Sequence, residues 1–201
     1  RTNGTMWDNG DSIGIYMKSA ADLLSSSSVL AENVKYITTG TGDFKSHNPD
    51  KAIAFPQTGD KVDFIAYYPY RKTIIGHKYP VNLTNQENQS AVDLLYSNDA
   101  GGSDFNTPNI NMTFKHQLSK ILLNISSTDT TLNLAGLTAE ITDAATQADF
   151  SLVDGTFSTP ISKGSISFNV SAEGDFAEAI VMPAASLAGM KIVITLGTDT
   201  Y

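Results

Sequence analysis

Apolar residues in this chain recur with a period of two rather than 3.6. The densest run is residues 62–70, Val-Asp-Phe-Ile-Ala-Tyr-Tyr-Pro-Tyr. There Val62, Phe64, Ala66 and Tyr68 alternate with Asp63, Ile65 and Tyr67, and Pro69 stops the run. This pattern predicts a strand near the middle of a sheet, with one face lining a core and the other partly covered. Upstream, Ile13, Ile15 and Met17 predict a strand over 11–17, and Val34, Tyr36 and Thr38 one over 33–38. Residues 20–31, with Ser25 to Ser28 in a row, read as a loop with one helical turn. Residues 40–50 are a turn-rich excursion containing Gly40, Gly42 and Asn48-Pro49, and 52–55 are a brief apolar strand ended by Pro56.

Downstream, a strand is predicted over 72–79 ahead of Pro80, then a polar loop over 82–89. A compact strand over 92–97 follows, and then a Gly/Asp/Asn loop over 98–107. Residues 110–114 alternate again, and 116–125 continue the pattern through Leu118, Ile121, Leu123 and Ile125. The missed beat at Ser119-Lys120 signals a bulge or a change of sheet. Further strands are predicted over 132–141 and 148–153, before Asp154-Gly155, which has the sequence of a type I′ hairpin turn leading to Thr156-Phe157. The last predicted strands cover 165–170, 179–182 and 191–196. Nowhere do about 12 residues hold a helical period. The class is therefore all-β, in two consecutive sandwiches, residues 1–120 and 121–201, and no repeat of fixed period occurs.

Composition narrows the setting. The chain has 201 residues, of which 41% are hydrophobic, enough for a core, and only 17% charged. Such a balance, with Ser, Thr and Asn filling the polar surface, is typical of extracellular β proteins. A net charge of −8 repels a phosphate backbone, so nucleic acid is excluded as a partner. The absence of cysteine removes disulfides, thiolate metal sites and cysteine nucleophiles together. No run approaches the roughly 18 apolar residues of a membrane-spanning helix, and no basic-plus-apolar signal segment opens the chain. If the protein is exported, this is a mature or trimmed form lacking any lipid-bearing cysteine, and Arg1 is not treated as a processing site.

Candidate chemistry is sparse. His47, His77 and His116 are far apart, and none has a His or Glu partner at i+3 or i+4, so surface or hydrogen-bonded roles are preferred to a metal site. The acid pairs Asp8/Asp11, Asp60/Asp63 and Asp99/Asp104 lack the spacing by which two carboxylates face one cleft, so turn and strand-end acids are preferred to a glycosidase pair. Asp8-Asn-Gly-Asp11 and Asn98-Asp-Ala-Gly-Gly-Ser-Asp104 resemble oxygen-rich calcium loops, yet turn chemistry accounts for them equally well. Neither a Gly-x-Ser-x-Gly elbow nor a phosphate-binding glycine loop occurs. Asn-x-Ser/Thr tripeptides begin at Asn3, Asn82, Asn88, Asn111, Asn124 and Asn169; a Ser/Thr/Asn-rich chain produces them by chance, and Asn124 sits inside an apolar strand. Trp7, Tyr67, Tyr70 and Tyr79 are the candidates for stacking on sugars, with core or cross-strand packing favoured. The reading assigns no catalytic, cofactor-binding or metal residue.

An ordered set of segments resembles the fimbrillin (Mfa-like) family of Bacteroidales, fimbrial subunits of the type V pilus kind. It comprises Trp7 with Gly10-Asp11 and Ile13-Gly-Ile-Tyr16, Asn33-Val-Lys-Tyr36, Ile53-Ala-Phe-Pro56, the 62–70 run, and Asp93-Leu-Leu-Tyr-Ser97. Phe114-Lys-His116, Leu118-Ser-Lys120, Phe150-Ser-Leu152, Asp154-Gly155, Ala179-Ile-Val-Met-Pro183 and Lys191-Ile-Val-Ile-Thr195 complete it. The resemblance implies two transthyretin-like Greek-key sandwiches, the second incomplete at its C-terminus because the chain stops soon after the Lys-Ile-Val-Ile-Thr segment. It also implies export through the periplasm to the cell outer membrane as a lipoprotein, with membrane contact only through a lipid anchor absent from this chain. By the same resemblance the chain is a structural and adhesive subunit of a surface fimbria. Its partners are other subunits, joined by noncovalent strand exchange, with no cofactor and no enzyme activity. The alternative is a surface lipoprotein or fimbrial tip adhesin binding a host glycan or protein.

Overall fold

The computed structural model describes residues 6–201; Arg1 and the tripeptide beginning at Asn3 lie outside them. Alternation becomes strands along nearly the whole chain: β1 (Asn9–Ser19), β2 (Val29–Thr39), β3 (Phe44–Ser46), β4 (Val62–Tyr68), β5 (Lys78–Asn82), β6 (Leu95–Ser103) and β7 (Lys115–His116). They are followed by β8 (Ser119–Asn124), β9 (Thr138–Ser151), β10 (Ser162–Ser167), β11 (Asn169–Val170), β12 (Phe176–Val181), β13 (Lys191–Leu196) and β14 (Asp199–Thr200). Among the described residues the helical content is one turn, α1 (Gln89–Val92), and a 3-10 turn at Pro49–Lys51. The protein is an all-β sandwich protein, as its alternation predicts.

Two compact units are present. The first comprises Arg1–Tyr79, Asp93–His116 and Phe150–Thr156, and the second Pro80–Val92, Gln117–Asp149 and Phe157–Tyr201. They interleave along the chain where the sequence reading draws two consecutive domains, because one short segment of each stretch belongs with the other unit.

The first unit is built on an antiparallel sheet of order β3-β2-β1-β4-β6-β7. β4 lies inside it, paired with β1 through Tyr16↔Ile65 and with β6 through Tyr67↔Tyr96. All of β4 except Asp63 is buried, so both faces of this strand are covered. In the second unit, β10-β9-β13-β14 form one sheet, with β5 also paired to β9, and β11-β12-β8 form another. Gln86 ties the loop after β5 to β12. Its Nε2 donates to the Ile180 carbonyl (3.2 Å) and its Oε1 accepts from the Ile180 N–H (2.9 Å).

Several predicted elements differ, each for a physical reason. The helical turn within 20–31 is instead a serine-closed turn, with the Ser25 N–H donating to Ser28 Oγ (3.0 Å), and β2 starts early at Val29. The 40–50 excursion contains β3, which β2 recruits. No strand occupies 72–77, because Gly76 and His77 take left-handed backbone (φ 58° and 56°). β6 begins at Leu95 and runs through the expected Gly/Asp loop to Ser103, following its partner β4. The predicted break between 141 and 148 is absent. Asp143 (φ 54°) is a single left-handed residue that shifts the phase of burial, from Ala139 and Ile141 to Ala144, Thr146 and Ala148, and one strand runs through. At Asp154-Gly155 only Gly155 has positive φ (72°), so the turn is not type I′; it closes by Gly155 N–H to the Ser151 carbonyl at 2.9 Å. The missed beat at Ser119-Lys120 is a change of sheet: β7 pairs with β6, and β8 with β12.

Candidate functional site

The acids and histidines do not converge. Asp11 closes its own turn, accepting from the Asp8 N–H at 2.8 Å and from Tyr68 Oη at 3.0 Å. Asp60 accepts from Thr58 Oγ1 (2.6 Å), whereas Asp63 accepts from Lys18 Nζ (2.7 Å), the Gly102 N–H (2.8 Å) and the Ala21 N–H (3.0 Å). Burial opposes the charge on Asp63, but these three donors outweigh it and hold the carboxyl below its ordinary range. Asp99 accepts from Ser97 Oγ and the Thr113 N–H, and Asp104 from Lys61 Nζ and the Asn106 N–H. The candidate calcium loop at 98–104 is therefore mostly strand β6, with its two carboxylates already engaged. His116 Nδ1 lies 2.7 Å from Asp93 Oδ1, His77 Nε2 lies 4.0 Å from Glu32, and the His47 N–H donates to the Lys35 carbonyl. Among the described residues no group of three or more His, Asp or Glu side chains is arranged to hold a metal ion.

The aromatic candidates separate by burial. Tyr67 and Tyr79 are buried, at 0% and 2% exposure, so neither offers a face to a sugar. Packing wins because both stand on the covered side of the β1–β4 pair, where their rings meet edge to face at 5.3 Å. Tyr70 is half-buried, with Lys35 Nζ 5.4 Å from its ring centre. Trp7 is half-buried and makes edge contacts with Phe44 (4.9 Å), Phe114 (5.2 Å) and Tyr68 (5.4 Å).

Trp7 stands at a cleft of about 730 Å³ in the first unit, lined by apolar side chains together with Asp43, Asn109 and Asn111. Its floor is the second face of the sheet, with Ile13 and Ile15 of β1 and Phe64 of β4. Its walls are half-buried residues: Phe44 of β3, Ile53 and Phe55, and Ile110, Met112 and Phe114. Two of these walls are segments predicted as strands, 52–55 and 110–114. Neither forms a ladder. The Ile53 N–H donates to Tyr36 Oη (3.0 Å) and the Thr113 N–H to Asp99 Oδ1 (3.1 Å), both side-chain acceptors. The alternation of these segments is real, and their apolar side chains do turn inward, but among the described residues they have no ladder partner. Strand-like alternation without a ladder was the signal that marked the site.

Comparison with known proteins agrees with this architecture. A Fimbrillin-like family model matches residues 1–201. A Bacteroides uniformis protein provisionally named fimbrium subunit Fim1C is 34% identical over 196 residues, covering 94% of this chain; the chain spans 63% of that relative's length. A crystal structure from Bacteroides uniformis, provisionally described as a cell adhesion protein, superposes with a TM-score of 0.83 at 33% identity, over 97% of this chain and 77% of that one. A second such structure, from Bacteroides ovatus, shares the fold with a TM-score of 0.75 at 21% identity, over 100% of this chain and 78% of that one. The chain belongs to the fimbrillin-like family, the Mfa-like fimbrillins of Bacteroidales.

Proposed function

We propose that this chain is a structural and adhesive subunit of a bacterial surface fimbria, joined to neighbouring subunits by noncovalent strand exchange and carrying out no catalysis. The observation that carries this reading is the cleft of the first unit, walled by segments with strand alternation that, among the described residues, form no ladder. Strand addition draws affinity from main-chain hydrogen bonds and specificity from alternate side chains in apolar pockets, so it needs no reactive residue. Family membership supports the same reading, since the relative from Bacteroides uniformis carries the provisional name of a fimbrium subunit. The setting we propose is the outer surface of the outer membrane, reached through the periplasm, with a lipid anchor on the exported protein. Host-ligand binding has less support here, because Tyr67 and Tyr79 are buried in packing.

The test is assembly. Purified full-length gene product, processed and run unheated on SDS gels, is expected to give ladders of SDS-resistant oligomers. Persistent monomer in every processed form would overturn strand exchange. Saturable binding on a glycan array, lost when Trp7 or Tyr70 is replaced, would move the assignment to the adhesin alternative.

A further inference from the structure

We infer that Lys35, Tyr70, Arg71 and Lys72 form a binding site for an acidic glycan, one whose sugars carry carboxylates. The inference rests on the adhesive half of the reading above and not on strand exchange. Its first ground is charge. The chain has a net charge of −8, yet residues 33–42 and 64–86 contain no Asp or Glu. The fold brings these two stretches together: Asn33 Nδ2 donates to the Arg71 carbonyl (2.9 Å) and the Lys72 carbonyl (3.4 Å), and Lys35 Nζ lies 5.4 Å from the Tyr70 ring centre. Lys18, Lys61 and Lys120 are taken up by Asp63, Asp104 and Glu178. Among the described residues, Lys35, Arg71 and Lys72 have no carboxylate partner, and Glu32, the one acid of β2, lies 4.0 Å from His77 Nε2. Cations that the fold does not neutralise keep their field for a ligand.

The site is held in place before any ligand arrives. Asn33 takes left-handed backbone (φ 48°), and its Oδ1 accepts from Tyr67 Oη (2.6 Å), which in turn accepts from the Arg71 N–H (3.3 Å). The Tyr70 N–H donates to the Ser12 carbonyl at 2.9 Å. Arg71 is exposed, but its guanidinium lies 4.7 Å from the ring centre of buried Tyr79, which orients the planar fork. A guanidinium so placed pairs with a carboxylate through two parallel hydrogen bonds. Exposed Lys72 and half-buried Lys35 add point charges beside it. Ordering these groups in advance lowers the cost of association.

The ligand's chemistry follows from what the site has left to offer. The N–H groups of Tyr70 and Arg71 and the carbonyls of Arg71 and Lys72 are already bonded, so no backbone edge remains for an added peptide strand. Side chains remain: three cations and the half-buried Tyr70 ring, a set suited to sugar carboxylates and hydroxyls. A nucleic-acid duplex presents a charge about every 1.7 Å. Three cations acting over a Debye length of about 8–10 Å cannot neutralise that on an acidic chain. A glycan with a carboxylate on every second sugar asks for no more than the site holds.

Calorimetric titration of the full-length gene product with a hyaluronan octasaccharide tests this, with the methyl ester of the same octasaccharide as its uncharged match. Saturable binding of the acid is expected, absent for the ester and weakened by added salt. Arg71→Gln and Lys72→Gln should each weaken it about 10-fold, as loss of a charge-assisted hydrogen bond does. Arg71→Lys keeps the charge without the fork and should fall between wild type and Arg71→Gln. Lys191→Gln removes an equal charge from β13 and should leave the affinity unchanged. Equal binding of acid and ester, or an equal loss in Lys191→Gln, would overturn the site. Tighter binding to phosphatidylglycerol vesicles than to the octasaccharide would sink the glycan assignment in favour of a lipid surface. Arg71→Gln and Lys72→Gln should keep SDS-resistant ladders, and loss of ladders in either would end the separation of this site from assembly. Wild type that binds the octasaccharide but never forms ladders would support the site while striking strand exchange.

Discussion

The two faces of the first unit's six-stranded sheet are made by the same strands and are finished in different ways. On one face, Tyr16 of β1 and Tyr67 of β4 are buried, and Tyr79 of β5, which lies outside this sheet, packs its buried ring against Tyr67. Tyr67 Oη donates to Asn33 Oδ1 at 2.6 Å, and the Arg71 guanidinium lies 4.7 Å from the Tyr79 ring centre. On the other face, Ile13, Ile15, Phe64 and Tyr68 are equally buried, but the layer above them is half-buried and lacks ladder hydrogen bonds. The first face is a closed core of large rings that exclude water; among the described residues the Tyr67 hydroxyl finds partners, whereas those of Tyr16 and Tyr79 are buried without one. The second is a core floor covered by segments that, among the described residues, form no second sheet. Stability rests on the first side of β1 and β4; under the proposed strand exchange, assembly would fall to the other.

Substitutions can break that division, beginning with the largest effect. Tyr67→Ala on the closed face empties a fully buried ring and should cost about 3–5 kcal/mol in urea unfolding, with assembly failing only because folding does. Gly14→Ala attacks the same face from the backbone: a Cβ there would overlap the Tyr67 ring and Asn33 Oδ1. Overpacking of this kind should destabilise by about 1–3 kcal/mol.

Acid sharpens the comparison at the end of the closed face, where Asp63 pairs with Lys18 across the β1–β4 ladder. The folded carboxyl titrates below its ordinary 3.8, so the unfolded chain takes up the proton first as pH falls. The pair's contribution is full above pH 3.8 and is lost as pH drops through the lowered value. Denaturation midpoints of Asp63→Asn should therefore be less pH-dependent than wild type over that window. On the open face, Phe55→Ala should cost only about 1 kcal/mol in the isolated chain, since the ring is half-buried. It should nonetheless weaken SDS-resistant ladders strongly; a ladder as robust as wild type would erase the contrast between the faces.

Much of this was legible along the chain, though not evenly. The run at 62–68 reads as a central strand because its β-branched and aromatic residues leave no polar face for solvent, and β4 is central. The span 191–196 reads as β13 to the residue, although its ladder is with the distant β9, through Ile192↔Ile141. Asp143 hid the continuity of β9, because one left-handed residue shifts the phase that a period-two reading depends on. Asn98 to Ser103 read as loop from its glycines, and pairing with β4 made it strand. The candidate site was half legible: Ile53, Phe55, Ile110, Met112 and Phe114 stand out as alternating residues, while nothing local says that their segments lack partners.

The amino-acid sequence by itself determined the all-β class and which side chains turn inward, because alternation is a property of successive residues and the pleat converts it directly into two faces. Tertiary structure alone decided which of those strands find a neighbour, since ladder hydrogen bonds join residues far apart in the chain. It closed one face of the first sheet around Tyr67. Among the described residues, it left the backbone of 109–112 without a ladder beside the cleft on the other.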